Sequence, residues 1–415
     1  METFEGQSMK WGSAITYDEE NKRYGGARQY IADCVEKVQF QLSGQKPDFA
    51  ILFVSPHFQQ EYEHIPALLK KELGVKHFIG CSAGGLIGGG IEVEQQKAVA
   101  LTAAILPGVE IKTFHLEDEQ LPDLDDAPSS WEKLVGLQTQ QEPSFILLPD
   151  PFSFQIDTLV QGLDYAFPRA VKLGGLASGA NRAGVNALFR DDELHRTGAV
   201  GASITGNVTV DAVVAQGCRP IGKTYSVTKC HNNFLIELDG VSAVRVLKEL
   251  LESLSAQDQE LARNSLFLGV VMDEFKDDFK VGDFLIRNIL GIEPRTGSLV
   301  IGELLRNERR VQFHLRDAAT SADDLQMMLK RYCDQRSDDK KSEAAGALLF
   351  SCLGRGRYLY GEANHDSDCF RQYLGEVPLG GFFCNGEIGP VGGTTFLHGY
   401  TSSFGIFREK EPVAG

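Results

Sequence analysis

Two patterns of apolar and polar positions alternate along this chain. Short continuous apolar runs are separated by stretches with an apolar residue every three or four positions. Residues 25–42 show the second pattern, with Tyr30, Ile31, Cys34, Val35, Val38 and Leu42 on one stripe and Gly44 behind it. That spacing predicts a helix stopped by a glycine. The run at 48–54 is almost wholly apolar, as expected of a strand covered on both faces. A helix is expected over 61–73, ended by Gly74, then strands at 75–79, 98–105 and 109–114. The order then begins again: a strand at 145–148, a helix at 155–167 with Ile156, Leu159, Val160 and Leu163 inward, and strands at 170–173, 199–204 and 209–215.

Three small-residue turns punctuate these runs: Gly80-Cys81-Ser82-Ala83-Gly84-Gly85, Gly174-Gly175-Leu176-Ala177-Ser178-Gly179, and Phe383-Cys384-Asn385-Gly386-Glu387-Ile388-Gly389. Glycine there lets a second backbone or a ligand approach closely. Landmarks recur after 95 to 99 residues: Phe49 with Phe145, Gly80 with Gly175, Ile105 with Ile204. A steady offset reads as a duplicated unit of strand, helix, strand, turn and strand, over about 25–115 and 143–216. A looser third copy runs from Ala347 through Gly386 to 396–407. The expected fold class is therefore α/β, with duplicated units in an N-terminal domain and a related C-terminal domain.

The pattern changes near 225. Strands at 224–228 and 233–237 alternate like a hairpin, and a helix follows Asp239-Gly240. Strands are expected at 266–271, 283–289, 298–301 and 311–315. Ser321 with Asp324 resembles a capping box, and 334–343 reads as a charged connector. The domains are placed at 10–228 and 229–408.

With 415 residues and a net charge of −16, the chain can hold two domains. Its acidity excludes a duplex nucleic-acid partner, which wants a basic patch, and disfavours an anionic membrane surface. Much of the excess lies in one solvated stretch, Glu117 to Asp126. The N-terminus has neither signal nor transit character, and no apolar run reaches membrane-spanning length. The eight cysteines form no CxxC pair and no metal-ligand spacing, so a reduced, cytoplasmic protein without metal or cofactor is expected.

Gly80-Cys81-Ser82-Ala83-Gly84 matches GxSxG literally, but a nucleophile elbow leads into a helix, and Leu86-Ile87-Gly88-Gly89-Gly90 is a poor helix start. Cys81 lacks a nearby histidine to activate it. A nest of backbone N–H groups in such turns binds a small anion, a carboxylate included. Glu387 either meets the amine of a ligand or pairs with an arginine such as Arg287 or Arg316. His398 reads as a core or edge histidine. Gln312, His314 and Arg316 share one face of a strand, lining a pocket or facing water.

These residues resemble the FIST family (F-box and intracellular signal transduction). The resemblance rests on Gly80-Cys81-Ser82, the Gly174–Gly179 turn, Asn186-Ala187-Leu188-Phe189, Gly198-Ala199-Val200-Gly201 and Gln216-Gly217-Cys218-Arg219-Pro220-Ile221-Gly222. Phe284-Leu285-Ile286-Arg287-Asn288, Val311 to Asp317 and 382–389 extend it over about 10–408. Met9-Lys10-Trp11 resembles the usual start, so 1–8 reads as an extension. The resemblance implies an N-terminal and a C-terminal FIST domain without an F-box. It also implies a sensory role with a small ligand such as an amino acid, and a signalling protein as partner. The ligand-binding residues it points to are Cys81, Ser82, Gly84, Gly85, Ser178, Gly179, Arg287, Asn288, His314, Arg316, Asn385, Gly386 and Glu387. One departure matters: the first turn continues Gly85-Leu86-Ile87, and the acid of a Gly-Glu-Ile sequence survives in Gly386-Glu387-Ile388. No catalytic residue is expected. A hydrolase or acyl-transfer enzyme using Ser82 or Cys81 and a protein-interaction scaffold are the alternatives.

Overall fold

A computed structural model of the protein describes residues 8–18, 25–276, 278–279, 282–337 and 343–410. The first copy of the repeat runs β1 (Lys10–Tyr17), α1 (Ala27–Gln41), β2 (Phe49–Val54), α2 (Ile65–Leu73), β3 (His77–Ser82), β4 (Gly85–Gly88), β5 (Ile91–Glu94) and β6 (Ala98–Ile105). The second repeats that order as β7 (Val109–Leu116), α3 (Pro128–Val135), β8 (Ser144–Pro149), α4 (Ile156–Ala166), β9 (Lys172–Gly175), β10 (Leu188–Arg190), β11 (Glu193–His195) and β12 (Ala199–Gly206). The third opens with β13 (Thr209–Ala215) and is then interrupted. The interruption comprises β14 (Arg219–His231), β15 (Phe234–Leu238), β16 (Val241–Ser242), α5 (Ala243–Ser253), α6 (Ala256–Ser265), β17 (Leu266–Val271), β18 (Phe284–Glu293), β19 (Ser298–Ile301) and β20 (Arg310–Leu315). The third copy resumes with α7 (Ala318–Ser337), β21 (Gly346–Cys352), α8 (Gly356–Tyr360), α9 (His365–Leu374), β22 (Leu379–Cys384), β23 (Glu387–Val391), β24 (Thr394–His398) and β25 (Ser402–Arg408). The third copy is thus as complete as the other two, and its likeness was hidden by the insertion.

The three copies build three six-stranded sheets, ordered β1-β6-β2-β3-β10-β11, β7-β12-β8-β9-β23-β24 and β13-β25-β21-β22-β4-β5. Each holds one parallel pair, β2 with β3, β8 with β9, and β21 with β22. Each is finished by a hairpin from another copy. The first copy gives β4–β5 to the third sheet, the second gives β10–β11 to the first, and the third gives β23–β24 to the second. The exchange is cyclic, so the repeats relate by a pseudo-threefold rule. Their inner faces meet in one core that includes Ile51, Phe53, Ile146, Leu148, Leu348 and Phe350. The outer faces of the first two sheets are covered by their own helices.

One glycine in each copy marks the equivalence. A Cβ on Gly80 would lie 2.1 Å from the Leu52 carbonyl oxygen, on Gly174 1.9 Å from that of Leu147, and on Gly381 1.9 Å from that of Leu349. In all three cases the carbonyl belongs to the residue in register on the parallel neighbour.

The chain divides into two compact units, one of Ala215–Met327 and one of the segments up to Val214 and from Met328 onward. This differs from a division at 228/229. The chain after Met328 packs with the first two copies because its strands finish sheets that they begin. In the inserted unit, β14 pairs first with β20 and then with β15, and β18 pairs first with β17 and then with β19. The order β14-β20-β17-β18-β19-β15 therefore returns to β14 as a closed antiparallel barrel. Leu268, Val270, Leu299, Val311 and Phe313 pack in its core with Val246 and Leu250 of α5.

The capping-box expectation at Ser321 is corrected. The helix begins three residues earlier, and Asp317 Oδ1 accepts from the Thr320 N–H at 2.7 Å. Ser321 Oγ instead donates to the Gly217 carbonyl, while Asp324 accepts from the Gly217 N–H. The charged connector is helical as far as Ser337, and 338–342 lie outside the described residues, as do 1–7 of the N-terminal extension.

Candidate functional site

The carboxyl ends of the three parallel pairs converge. The equivalent residue in each copy, just after β2 and β8 and last in β21, is fixed in the same way. Ser55 N–H donates to Ala98 O at 3.0 Å, Asp150 N–H to Gly198 O at 2.9 Å, and Cys352 N–H to Thr401 O at 3.0 Å. The second strand of each pair runs into a small-residue turn. The first and third strands extend further than the sequence pattern indicates, taking in Ser82 and Cys384.

Ser178 joins the turns of all three copies. Its buried hydroxyl accepts from the Gly84 N–H at 2.9 Å and donates to the Phe383 carbonyl. Its N–H donates to Ser82 O at 3.1 Å. Leu176 N–H donates to Gly386 O at 2.9 Å, and the Asn385 side chain to Ala177 O at 3.2 Å. Gly84 and Gly179 abut across two copies: a Cβ on Gly179 would lie 2.4 Å from Pro56 Cγ and 3.3 Å from Gly84 N. Above this junction Gly179 and Asn385 are exposed, Gly84 is half-buried, and Leu353 is 38% exposed.

Beneath it lies a buried polar chain. Ser82 Oγ accepts from the Ala187 N–H at 3.1 Å and donates to Asn186 Oδ1 at 3.1 Å, with Ser178 O at 3.4 Å. Asn186 Nδ2 donates to Asp150 Oδ1 at 2.9 Å, and Asp150 Oδ2 accepts from Ser153 Oγ at 2.7 Å. Burial pushes the Tyr62 phenol up, against a hydrogen bond with Ser82. Burial also holds the Cys81 and Cys384 thiols well above their ordinary values, and at Cys384 the Glu387 carboxylate adds to it. Neither is poised as a thiolate. Glu387 is fully buried, accepts from the Thr401 N–H at 2.9 Å, and lies in register between Gly175 and His398. His398 is buried with Nε2 3.0 Å from Gly389 O, the core or edge placement its sequence indicates.

Nine of the thirteen sequence-derived site residues meet in this region: Cys81, Ser82, Gly84, Gly85, Ser178, Gly179, Asn385, Gly386 and Glu387. The other four belong to the barrel. Arg287 pairs with Glu303 at 2.7 Å. Asn288 is exposed and shares a row with Phe267 and His314. His314 and Arg316 are buried. Burial pushes the His314 imidazole down to about 4, and its Nδ1 lies 3.0 Å from Gln312 O. Gly269 makes room for that ring, since a Cβ there would lie 2.4 Å from His314 Cε1. Sequence reasoning missed Asp150, Asn186 and Thr401 as site residues. Asn186 opens the Asn186-Ala187-Leu188-Phe189 motif, but nothing local ties it to Ser82, more than a hundred residues away.

Across this architecture, two domain models match end to end: FIST N over 48–241 and FIST C over 243–390, with no F-box among them. The chain belongs to the FIST family. An uncharacterized protein from Mycobacterium tuberculosis is 35% identical over 382 residues, 92% of this chain and 96% of its own length. F-box only protein 22 of Homo sapiens is 40% identical over 68 residues, 13% of this chain and 17% of its own. A cyanuric acid hydrolase structure from A. caulinodans aligns over 97% of this FIST chain and 100% of its own at 9% identity, with a TM-score of 0.32. Among the described residues no helix is long and apolar enough to cross a membrane.

Proposed function

We propose that this FIST protein is a cytoplasmic small-ligand sensor, and that its ligand, an amino acid or small carboxylate, binds where the three turns meet. The observation that carries the reading is Ser178, whose single hydroxyl ties together turns from three copies at the carboxyl ends of three parallel strand pairs. In α/β folds ligands bind outside those ends, where Gly179 and Asn385 are exposed. A ligand seated there touches all three copies at once, and a signalling partner reads the result. The site works by binding. The Ser82 hydroxyl is engaged by Asn186 and the Ala187 N–H, and the chain after the turn continues as strand β4 rather than the helix of a nucleophile elbow.

A thermal-shift screen of the purified chain against amino acids and small carboxylates tests this. A true ligand at 100 times its dissociation constant stabilises by about 2.7 kcal/mol, and Asn385→Ala should reduce that shift. Esterase turnover that disappears in Ser82→Ala would replace sensing with hydrolysis. No shift from any compound would leave the scaffold reading in its place.

A further inference from the structure

The hairpin that the first copy lends to the third sheet is fastened by acids. Glu92 and Glu94 sit two apart on β5, the outermost strand of that sheet, and so share a face. Glu92 Oε1 accepts from both the N–H and the hydroxyl of Ser367, each at 2.8 Å, in the first turn of α9. The Glu92 N–H donates to Asn364 Oδ1 at 2.7 Å. Glu94 Oε1 accepts from the Arg357 N–H at 2.9 Å at the start of α8. Next to the turn, Gly90 N–H donates to Leu379 O at 3.2 Å, and Arg371 donates to Gly90 O at 3.3 Å.

Glu92 has an unfavourable setting for a charge. It is 5% exposed, and its second carboxyl oxygen is buried without a hydrogen-bond partner. The charged groups around it are mostly acids. Asp366 of α9 faces it, and Glu94 lies on its own strand. Asp366 is kept as a carboxylate by Arg355, at 2.8 and 3.0 Å, with Ser351 and Ser402 hydroxyls and the His365 ring at 3.3 Å. That neutralises Arg355 and leaves nothing over for Glu92. Arg357 stands beside Glu94, and Arg371 is shared by Asp368 and Glu376. Burial first and Asp366 second push the Glu92 carboxyl up to about 7, against the two Ser367 bonds.

We propose that the exchanged β4–β5 hairpin is a proton-operated latch, closed on α9 while Glu92 carries a proton and loosened when Glu92 ionises. Ionisation puts a second negative charge beside Asp366 in a buried space, and the cost is relieved by letting β5 move toward water. Strand β4 begins at Gly85, inside the first small-residue turn, so the latch is connected through one short strand to the place where the turns meet. The direction follows from the raised value. The fastening is complete below about pH 4.5, where the free acid is also protonated, and is lost as pH rises through about 7.

Hydrogen exchange of the amides of 88–94 in the full chain, corrected for intrinsic rates, reads the latch directly. Between pH 5 and pH 8 the opening constant should rise on the order of fiftyfold, while helix α1 shows no such rise. Glu92→Gln should remain closed at both pH values. A pH-independent opening in the wild type, or an unchanged pH slope in Glu92→Gln, overturns the proposal. Should Glu92→Gln fail to fold, difference infrared spectroscopy of the wild type decides. A buried protonated-carboxyl band that titrates near neutral pH supports the latch, and its absence refutes it.

Discussion

The pseudo-threefold rule makes a quantitative demand on Gly80, Gly174 and Gly381. An alanine Cβ at these positions would lie 2.1, 1.9 and 1.9 Å from a backbone carbonyl oxygen. An ordinary carbon contact is about 3.5 Å, so more than 1 Å must be found by parting two parallel strands. Those strands are buried on both faces, and overpacking of this kind costs about 1 to 3 kcal/mol. Gly174 and Gly381 also have φ of +153° and +147°, where a side chain adds about 1 to 3 kcal/mol of strain. Gly80→Ala should therefore cost about 2 to 3 kcal/mol, and Gly174→Ala and Gly381→Ala about 4 to 5 kcal/mol. Trp11 and Trp131, the two tryptophans of the chain, both lie in the three-copy unit, so denaturant unfolding followed by fluorescence reports on that unit. Gly399→Ala, in the same unit, with open space at its Cβ and no positive φ, is the control. A cost below about 1 kcal/mol at any of the three, or a larger cost at Gly80 than at the other two, would refute the reasoning.

Removing one partner of the buried Arg355–Asp366 pair should cost about 3 to 5 kcal/mol, whereas the double variant Arg355→Met with Asp366→Asn should cost less than either alone; a denaturation double-mutant cycle checks this. Glu387→Gln should lower the melting temperature of the ligand-free protein, by about 1 to 3 kcal/mol in stability, because it weakens the bond from the Thr401 N–H. Binding titration on the same variant shows whether the ligand also loses affinity. His314 is held neutral by burial, with its value pushed down to about 4, so stability present above about pH 6.5 should be lost as pH falls toward 4, by about 3 kcal/mol. His314→Gln should flatten that acid limb in a melting series from pH 4 to pH 7.

In the first two copies α1, α2, α4 and the central strands were legible because their apolar spacing is local, whereas β1 and α3 were not expected. The 48–54 run became β2, and the stripe from Tyr30 to Val38 became the buried face of α1. The exchanged hairpins were not legible. Leu86 and Ile87 look alike whether they return to their own sheet or pair with Phe382 and Gly381, because periodicity carries no information about which sheet a strand joins. The third copy was obscured for a related reason: more than a hundred residues of barrel separate β13 from α7. At the site, the glycine turns were visible as composition, but the role of Ser178 depends on two partners, Gly84 and Phe383, from opposite ends of the chain. Asp317 displaced Ser321 as the cap of α7 because Gly217 claimed the Ser321 hydroxyl.

The cyclic lending of hairpins also sets a timetable for synthesis. Strand β4 leaves the ribosome about 290 residues before β22, the strand it must pair with. At ordinary elongation rates that interval is about 15 to 60 s. During it an apolar Leu86-Ile87 segment and an unclosed second sheet await a partner that does not yet exist. A protein built this way cannot finish its first domain before its last strands appear, and the nascent chain has to be sheltered for most of the time it is being made.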